Sequence, residues 1–393
     1  MSILVNDNYQ NLAQNYLFSN IAKKVKAYTE ANPDKKVIRL GIGDVTLPLV
    51  PTVIEAMHKA VDEMGNQATF RGYAPECGYD FAIEAVIKHY AAWNVELGMN
   101  EVFISDGAKS DCGNITDIFG DNEILIPDPV YPVYLDSNIM NGRRISYLAA
   151  NQENGFLPMP EGVEKKSYII YICSPNNPTG AVYNKEQLKE WVDFANETQS
   201  VIIFDSAYEA FIKGDYPHSI FEIEGSRTCA IEICSLSKTA GFTGTRMGYT
   251  IVPEQLVCSG TQLNKMWNRR QCTKFNGTSY IIQRAGEAAL SEKGFKECLD
   301  NIAYYMENAK LIADVLDEKG IWYTGGISSP YIWLKCPNGM KSWEFFDYLL
   351  NELQIVGTPG AGFGSQGEGY FRLTSFGSRE ATQEAVERIR KGL

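Results

Sequence analysis

This chain has little with which to hold a metal, a nucleic acid or a bilayer. It contains only three histidines, His58, His89 and His218, too dispersed for a metal cluster and expected at solvent-facing helix or loop positions. Its nine cysteines form no CxxC pair and are odd in number, which argues against a zinc site or disulfide framework and for a reduced, cytoplasmic protein. No run approaches the roughly 18 apolar residues of a membrane span. The first residues, MSILVNDNYQNLAQNYLF, have no basic segment followed by an apolar one, so no export signal is expected. Positive charge is the minority sign: 36 lysines and arginines against 48 acids give a formal net charge of −12, without the clustered cations that phosphate backbones need. Nucleic acids and membranes are therefore not expected partners. Repeats, low-complexity tracts and flexible linkers are also missing.

What is present reads as an α/β enzyme. At 393 residues, 45% of them hydrophobic, the chain is long enough for a large domain and a smaller one. Short runs, VFIS (102–105), EILI (123–126), YIIYIC (168–173), VIIF (201–204), CAIEIC (229–234) and GYTIV (248–252), are mostly apolar on both faces. Polar segments of helix length, such as NKEQLKEWVDFANETQ with a cap at Asn184, separate them. That alternation predicts a buried, mainly parallel sheet flanked by helices. Near residue 285 the texture changes to long amphipathic segments and then to strand–helix–strand material ending in GYFRLTSFG. The expected division is an N-terminal arm and part of the smaller domain over 1–45, a large domain over 46–285 and a smaller α+β domain over 286–393.

Ligands of such sheets sit beyond the carboxyl ends of the strands, and the segments there are rich in polar residues, glycine and proline. The densest is SLSKTAGFTGTRMGY, residues 235–249. A lysine just past a strand, with a second cation nearby, can have its pKa lowered and act as a nucleophile toward a carbonyl. Around Lys238, the hydroxyls of Ser235 and Ser237, the Arg246 guanidinium and flexible glycines suit an anion. A phosphate-bearing aldehyde meets both needs, and pyridoxal 5'-phosphate is the common cofactor of that kind. Its ring nitrogen needs a carboxylate, for which Asp205 follows VIIF. Its phenolic oxygen needs donors, for which Asn177 and Tyr208 are candidates. Tyr131 is a flat partner for the ring, and SDGAK at 105–109 is an amide-rich turn for the phosphate. Each of these residues alone has a plainer reading as a turn former, cap or solvated side chain; their recurrence at successive strand ends is the signal.

Together with FRLTSFG, the motifs SPNNPTG, DSAYEAF and SLSK…GFTGTRMGY resemble the fold-type I pyridoxal phosphate aminotransferases. IGDVTLPL, FRGYAPECGY, ISDGAKSD, DPVYPVYLD, RRQCTKFNG and PYIWLK are similar to the LL-diaminopimelate branch of that family. The resemblance spans nearly the whole chain. It implies a large domain with a mostly parallel central sheet plus a smaller α+β domain. It implies Lys238, Asp205 and Tyr131 as catalytic residues, Lys238 joining the cofactor aldehyde and later moving a proton as general acid and base. Phosphate falls to Ser235, Ser237, Arg246 and the Ala108–Lys109 turn, with Tyr73 beside the cofactor. For substrate it implies Tyr16, Gly43, Lys109, Tyr131, Asn177, Asn276 and Arg372, the last gripping the α-carboxylate. Glu76 is a candidate for a distal ammonium, and Lys109 or Asn276 for a distal carboxylate. Some of these residues reach across a dimer, so a homodimer with composite sites is expected, acting on a small amino acid and a 2-oxo acid. Cys234 departs from the family pattern, where a larger polar residue precedes SLSK, and could alter strand-end packing or a phosphate contact.

Other classes stay open on the sequence. An aminotransferase for aspartate, aromatic or kynurenine-type substrates, a cofactor-binding regulator without catalysis, and a lyase using the same residues all fit the motifs. Two patterns do not develop. Ser235-x-x-Lys238 lacks the further motifs of a serine β-lactamase, and Gly362-x-Gly364-x-x-Gly367 leads into strand-like GYFRLT rather than the helix of a dinucleotide site.

Overall fold

A computed structural model describes residues 3–12, 17–41 and 43–393. The six apolar runs pair in one sheet with a seventh strand: β1 (Val102–Ser105), β2 (Ile124–Asp128), β3 (Ile145–Ala149), β4 (Ile169–Cys173), β5 (Val201–Asp205), β6 (Ala230–Ser235) and β7 (Gly248–Ile251). Their order is β1-β7-β6-β5-β4-β2-β3, and only β7 runs against its neighbours. Side-chain alternation divides each central strand between two cores. Ile169, Tyr171 and Ile203 enter one, while Ile170, Ile172, Ile202 and Phe204 enter another on the opposite face. Because both faces are covered, the strands read as unbroken apolar runs. Strand β3 was not expected; it lies at the sheet edge, and its Tyr147 is exposed, so it needs no second apolar face.

The helices run in chain order as α1 (Leu17–Ala31), α2 (Pro51–Met64), α3 (Asp80–Ala91), α4 (Ala108–Asn114), α5 (Pro132–Met140), α6 (Lys185–Thr198), α7 (Leu236–Thr239), α8 (Leu263–Lys274), α9 (Tyr280–Leu290), α10 (Glu292–Glu318), α11 (Ser342–Tyr348) and α12 (Arg379–Gly392). Helix α6 starts at the expected cap. Asn184 Oδ1 accepts the Gln187 N–H at 2.8 Å, and Gln187 Oε1 accepts the Asn184 N–H at 3.0 Å. Its Leu188, Trp191, Val192 and Ala195 cover the sheet.

A second, antiparallel sheet has the order β8-β9-β11-β10, from Tyr323–Gly325, Tyr331–Lys335, Thr358–Pro359 and Tyr370–Thr374 for β8 to β11. The amino-terminal Ile38–Arg39 joins this end of the chain by parallel pairing with Ile355–Val356. Residue 285 falls inside α9, and the chain bends at Ser291, whose Oγ accepts the Gly294 N–H at 3.1 Å and so starts α10. The 27 residues of α10 grip two segments at once. The Tyr305 hydroxyl accepts the N–H groups of Thr46 and Leu47 at 2.9 and 2.6 Å, and Asn308 Nδ2 donates to the carbonyls of Ser375 and Gly377 at 3.2 and 2.8 Å. The glycine pattern at 362–367 forms short turns before β11, in keeping with the dismissal of a dinucleotide loop.

The Asn184 cap is exposed enough to test alone: Asn184→Ala should lower unfolding stability by about 1 kcal/mol, read from the urea midpoint at unchanged slope.

Candidate active site

Side chains from the ends of β1, β2, β4, β5 and β6 converge with Gly43 and with Arg372 of β11 on a cavity of about 460 Å³. The phosphate side is built by backbone shape. Gly107 holds φ +129° at the entry to α4, and a Cβ there would strike the Arg246 guanidinium; a Cβ on Gly248 would lie 2.8 Å from Gly107 Cα. These two bare positions let Arg246 close over the turn at Ala108. Arg246 itself sits at φ +67°, unusual for a residue with a side chain. Its guanidinium donates to Ser237 Oγ at 3.1 Å and the Thr243 carbonyl at 3.3 Å, and no carboxylate pairs with it among the described residues. Ser235 caps α7, its Oγ accepting the Ser237 N–H at 3.1 Å and donating to Ser237 Oγ at 2.8 Å.

Lys238 follows on α7. Its Nζ donates to the Gly43 carbonyl and lies 5.4 Å from the Phe376 ring centre. Burial pushes its pKa down to about 8; Asp44 opposes the shift, and Arg372 and Arg246 add to it. Across the cavity, Asp205 is buried at the end of β5. Its Oδ1 accepts the Ala207 N–H at 3.0 Å and its Oδ2 the Tyr134 hydroxyl at 2.5 Å. Burial raises its pKa, and these two donors act against that rise. The Tyr208 and Tyr331 hydroxyls share a hydrogen bond of 2.6 Å. Tyr131 and Lys109 line the same cavity.

Arg372 is the most telling group. It is 1% exposed, donates to Asn177 Oδ1 at 2.6 Å and the Gly41 carbonyl at 3.0 Å, and lies over Tyr331 at 4.5 Å. Its Nε has no partner, and no carboxylate faces it among the described residues. A buried cation without a counter-ion is costly unless an anion arrives. The bond to Asn177 Oδ1 leaves the Asn177 amide N–H groups for a ligand. The donor set therefore fits pyridoxal 5'-phosphate with a carboxylate substrate: a phosphate at Arg246, an aldehyde at Lys238, a basic ring nitrogen at Asp205 and a carboxylate at Arg372.

Twelve expected residues thus line one cavity: Gly43, Ala108, Lys109, Tyr131, Asn177, Asp205, Tyr208, Ser235, Ser237, Lys238, Arg246 and Arg372. Three do not. Tyr73 is 90% exposed, Glu76 and Asn276 are exposed too, and their two loops touch each other at Ala74 and Gly277 outside the cavity. Tyr16 lies outside the described residues. Tyr134, Tyr331 and Asp44 line the cavity without having been anticipated; Tyr134 had a signal, since it stands three residues after Tyr131, on the first turn of the helix that Tyr131 precedes.

Two expectations need correction. His89 is buried rather than solvent-facing, and it is not separate from the half-buried His218: the two rings meet the buried Glu209, each 3.3 Å from one of its oxygens, with Trp93 stacked on His218. Burial alone would raise the Glu209 pKa, and the two imidazoles outweigh it and hold the carboxyl below its usual value. Folding, not sequence proximity, brings them together behind Tyr208. Cys234 does not reach the phosphate side; it is buried outside the cavity, with its Sγ donating to the Ser206 carbonyl at 3.6 Å.

Comparison with known proteins identifies the family. Residues 35–389 match the family model "Aminotransferase class I and II". The chain is 56% identical to an LL-diaminopimelate aminotransferase of Agathobacter rectalis, over 98% of this chain and 99% of that protein. It is 53% identical to one of Parabacteroides distasonis, over 99% of each. The solved structure of L,L-diaminopimelate aminotransferase from Chlamydomonas reinhardtii superimposes with a TM-score of 0.94 at 40% identity, covering 100% of this chain and 99% of that one.

Only the neutral amine of Lys238 can attack an aldehyde. The rate at which cofactor-free protein captures pyridoxal 5'-phosphate should therefore climb with pH to a plateau with a midpoint at about 8. A midpoint at the ordinary lysine value, about 10.4, would contradict the burial argument, and Lys238→Arg should capture none covalently.

Proposed function

The chain belongs to the class I and class II aminotransferases, and from that premise we propose that it moves an amino group between LL-2,6-diaminopimelate and 2-oxoglutarate. The keto product is tetrahydrodipicolinate after ring closure, and the reaction serves lysine and peptidoglycan-precursor synthesis. The cofactor is pyridoxal 5'-phosphate, which when bound draws electrons from the substrate α-carbon so that its proton can leave.

The residues divide the remaining work. Arg246, Ser235, Ser237 and the Ala108–Lys109 turn hold the phosphate. Asp205 keeps a proton on the ring nitrogen, Tyr131 packs on the ring, and Asn177 and Tyr208 donate to its phenolic oxygen. Lys238 Nζ removes the α-proton and returns it on the cofactor side, a task suited to a group whose pKa of about 8 lies near the working pH. Arg372 binds the α-carboxylate through its planar fork. The observation that carries the reading is this guanidinium, fully buried, without an anion, and aimed into the cavity that also holds Lys238.

Diaminopimelate has a second ammonium and carboxylate, and Glu76, Asn276 and Lys109 are proposed to read them. Glu76, Asn276 and Tyr73 stand exposed outside the cavity of their own chain. We take this as support for a homodimer in which these loops complete the partner's site. The chain is proposed to divide at 1–45, 46–285 and 286–393. Among the described residues no helix is long and apolar enough to cross a membrane, and a cytoplasmic location is proposed from the nine free thiols.

LL-diaminopimelate should bleach the visible absorption of the lysine-bound cofactor, and 2-oxoglutarate should restore it. A spectrum indifferent to diaminopimelate but responsive to aspartate or an aromatic amino acid would transfer the assignment to that substrate. The composite site has its own test. Lys238→Ala and Tyr73→Ala proteins, each nearly inactive, should regain about a quarter of wild-type activity when dissociated and mixed, because half the dimers then hold one intact site. No recovery on mixing would place Tyr73 with its own chain.

A further inference from the structure

Behind the expected residues, one side chain has no assigned work. Tyr134 lies on the first turn of α5, and Tyr131, three residues earlier, is the residue that precedes the helix with an extended backbone. Tyr131 meets it edge-on with ring centres 5.9 Å apart, and Tyr171 of β4 stacks on it at 5.1 Å. Asn138 Nδ2 donates to the Tyr134 carbonyl at 2.8 Å and the Tyr171 hydroxyl at 3.1 Å, and Asn138 Oδ1 accepts from Arg143 at 3.0 Å. The ring is buried and fixed on two sides, and its hydroxyl donates to Asp205 Oδ2 at 2.5 Å, with the Cys173 thiol beside it.

The position of that bond matters because Asp205 is otherwise weakly supported. Its second oxygen takes a single backbone N–H, and no lysine, arginine or histidine pairs with it among the described residues. A buried carboxylate in such a setting tends to take up a proton. If it did, a basic ring nitrogen brought against it would meet a carboxylic acid rather than an anion, and the proton between them could rest on either atom. We propose that Tyr134 is a positioning residue for Asp205: its hydroxyl fixes the plane of the carboxylate and stabilises the anion, so that the shared proton resides on the cofactor ring nitrogen. The inference rests on the cofactor reading above.

Tyr134 gives up no proton in this scheme. Its burial, and then the charge of Asp205 beside it, push the phenol pKa well above its ordinary value, so it stays a donor. The proton on the ring nitrogen comes with the cofactor or from solvent, and one hydrogen bond to each carboxylate oxygen leaves further lone pairs for that nitrogen. Phenylalanine at 134 would keep the stacking on Tyr171 and remove only the hydroxyl.

The test is Tyr134→Phe, measured by the nitrogen-15 shift of ring-labelled pyridoxal 5'-phosphate bound to the protein. The expected result is a ring-nitrogen shift that, below its titration midpoint, moves toward the unprotonated value as the proton-sharing ratio with Asp205 changes about tenfold, with kcat lower by about the same factor and KM for both substrates within about twofold. A nitrogen shift identical to wild type at every pH overturns the proposal. In cofactor-free protein, isotope-edited infrared spectra should show the Asp205 carboxyl protonated at a higher pH in Tyr134→Phe than in wild type. If wild type captures no cofactor, the cofactor reading fails while this infrared comparison still reports on the Tyr134 bond. Should Tyr134→Phe not fold, 3-fluorotyrosine at 134 provides a stronger donor in the same space, and the nitrogen shift should then move toward the protonated value; an unmoved shift, or one in the opposite direction, overturns the proposal.

Discussion

The contact on which the site depends is the 2.6 Å bond between the Arg372 guanidinium and the Asn177 amide oxygen. Arg372 belongs to the antiparallel sheet and Asn177 to the turn after β4, so this bond is where the two sheets meet at the cavity. Its geometry is held from both sides: Thr358 of β10 and Trp333 of β9 are the register neighbours of Arg372, and Tyr331 lies beneath the guanidinium. A charge placed there without a carboxylate is tolerated only because carbonyl, amide and aromatic faces surround it. Nε keeps no partner, and the terminal nitrogen that donates to Asn177 carries a second N–H for an arriving carboxylate. Stability and recognition thus pull in opposite directions at one residue, as expected where a site is kept ready for a ligand.

The central sheet was legible because burial on both faces leaves a strong mark. Strands such as Ile169–Cys173 and Val201–Asp205 are apolar without interruption, and no other local structure of that length between polar helices explains them. The cavity was legible for a related reason. In a parallel sheet every strand end delivers its next few residues to the same edge, so a list of strand ends is already a list of neighbours. Asp205, Asn177 and Ser235 follow from that rule alone. Arg372 did not, because it lies within a strand of the other sheet, and a charged residue in a strand looks like a solvent-facing one until the second sheet is placed.

What stayed illegible depends on contacts far apart in the chain. Strand β3 leaves Tyr147 and Ala149 exposed because it closes the sheet edge. Tyr331 acquires a role only when β9 comes to rest under the Tyr208 turn. His89 and His218 are 129 residues apart by number and are joined only through Glu209, which sits next to Tyr208 on the reverse of the turn. The front of that turn presents Asp205 and Tyr208 to the cavity. Its back is tied by Glu209 and by Ser206, whose hydroxyl donates to the buried Glu232 at 2.8 Å. Sequence spacing shows the front residues, and only packing shows the fastening.

Helix α10 turns these separate contacts into a mechanical linkage. Tyr305 and Asn308 lie three residues apart on it, one suspending the segment just after Gly43 and the other the loop just after Arg372. The carbonyl that receives Lys238 and the guanidinium that awaits an anion are therefore geared to a single shaft. At 27 residues the helix is about 40 Å long. A roll of ten degrees about its axis would shift a tyrosine hydroxyl at its rim by on the order of 1 Å. That travel separates a made hydrogen bond from a broken one, so such a roll would be felt at both ends of the cavity at once.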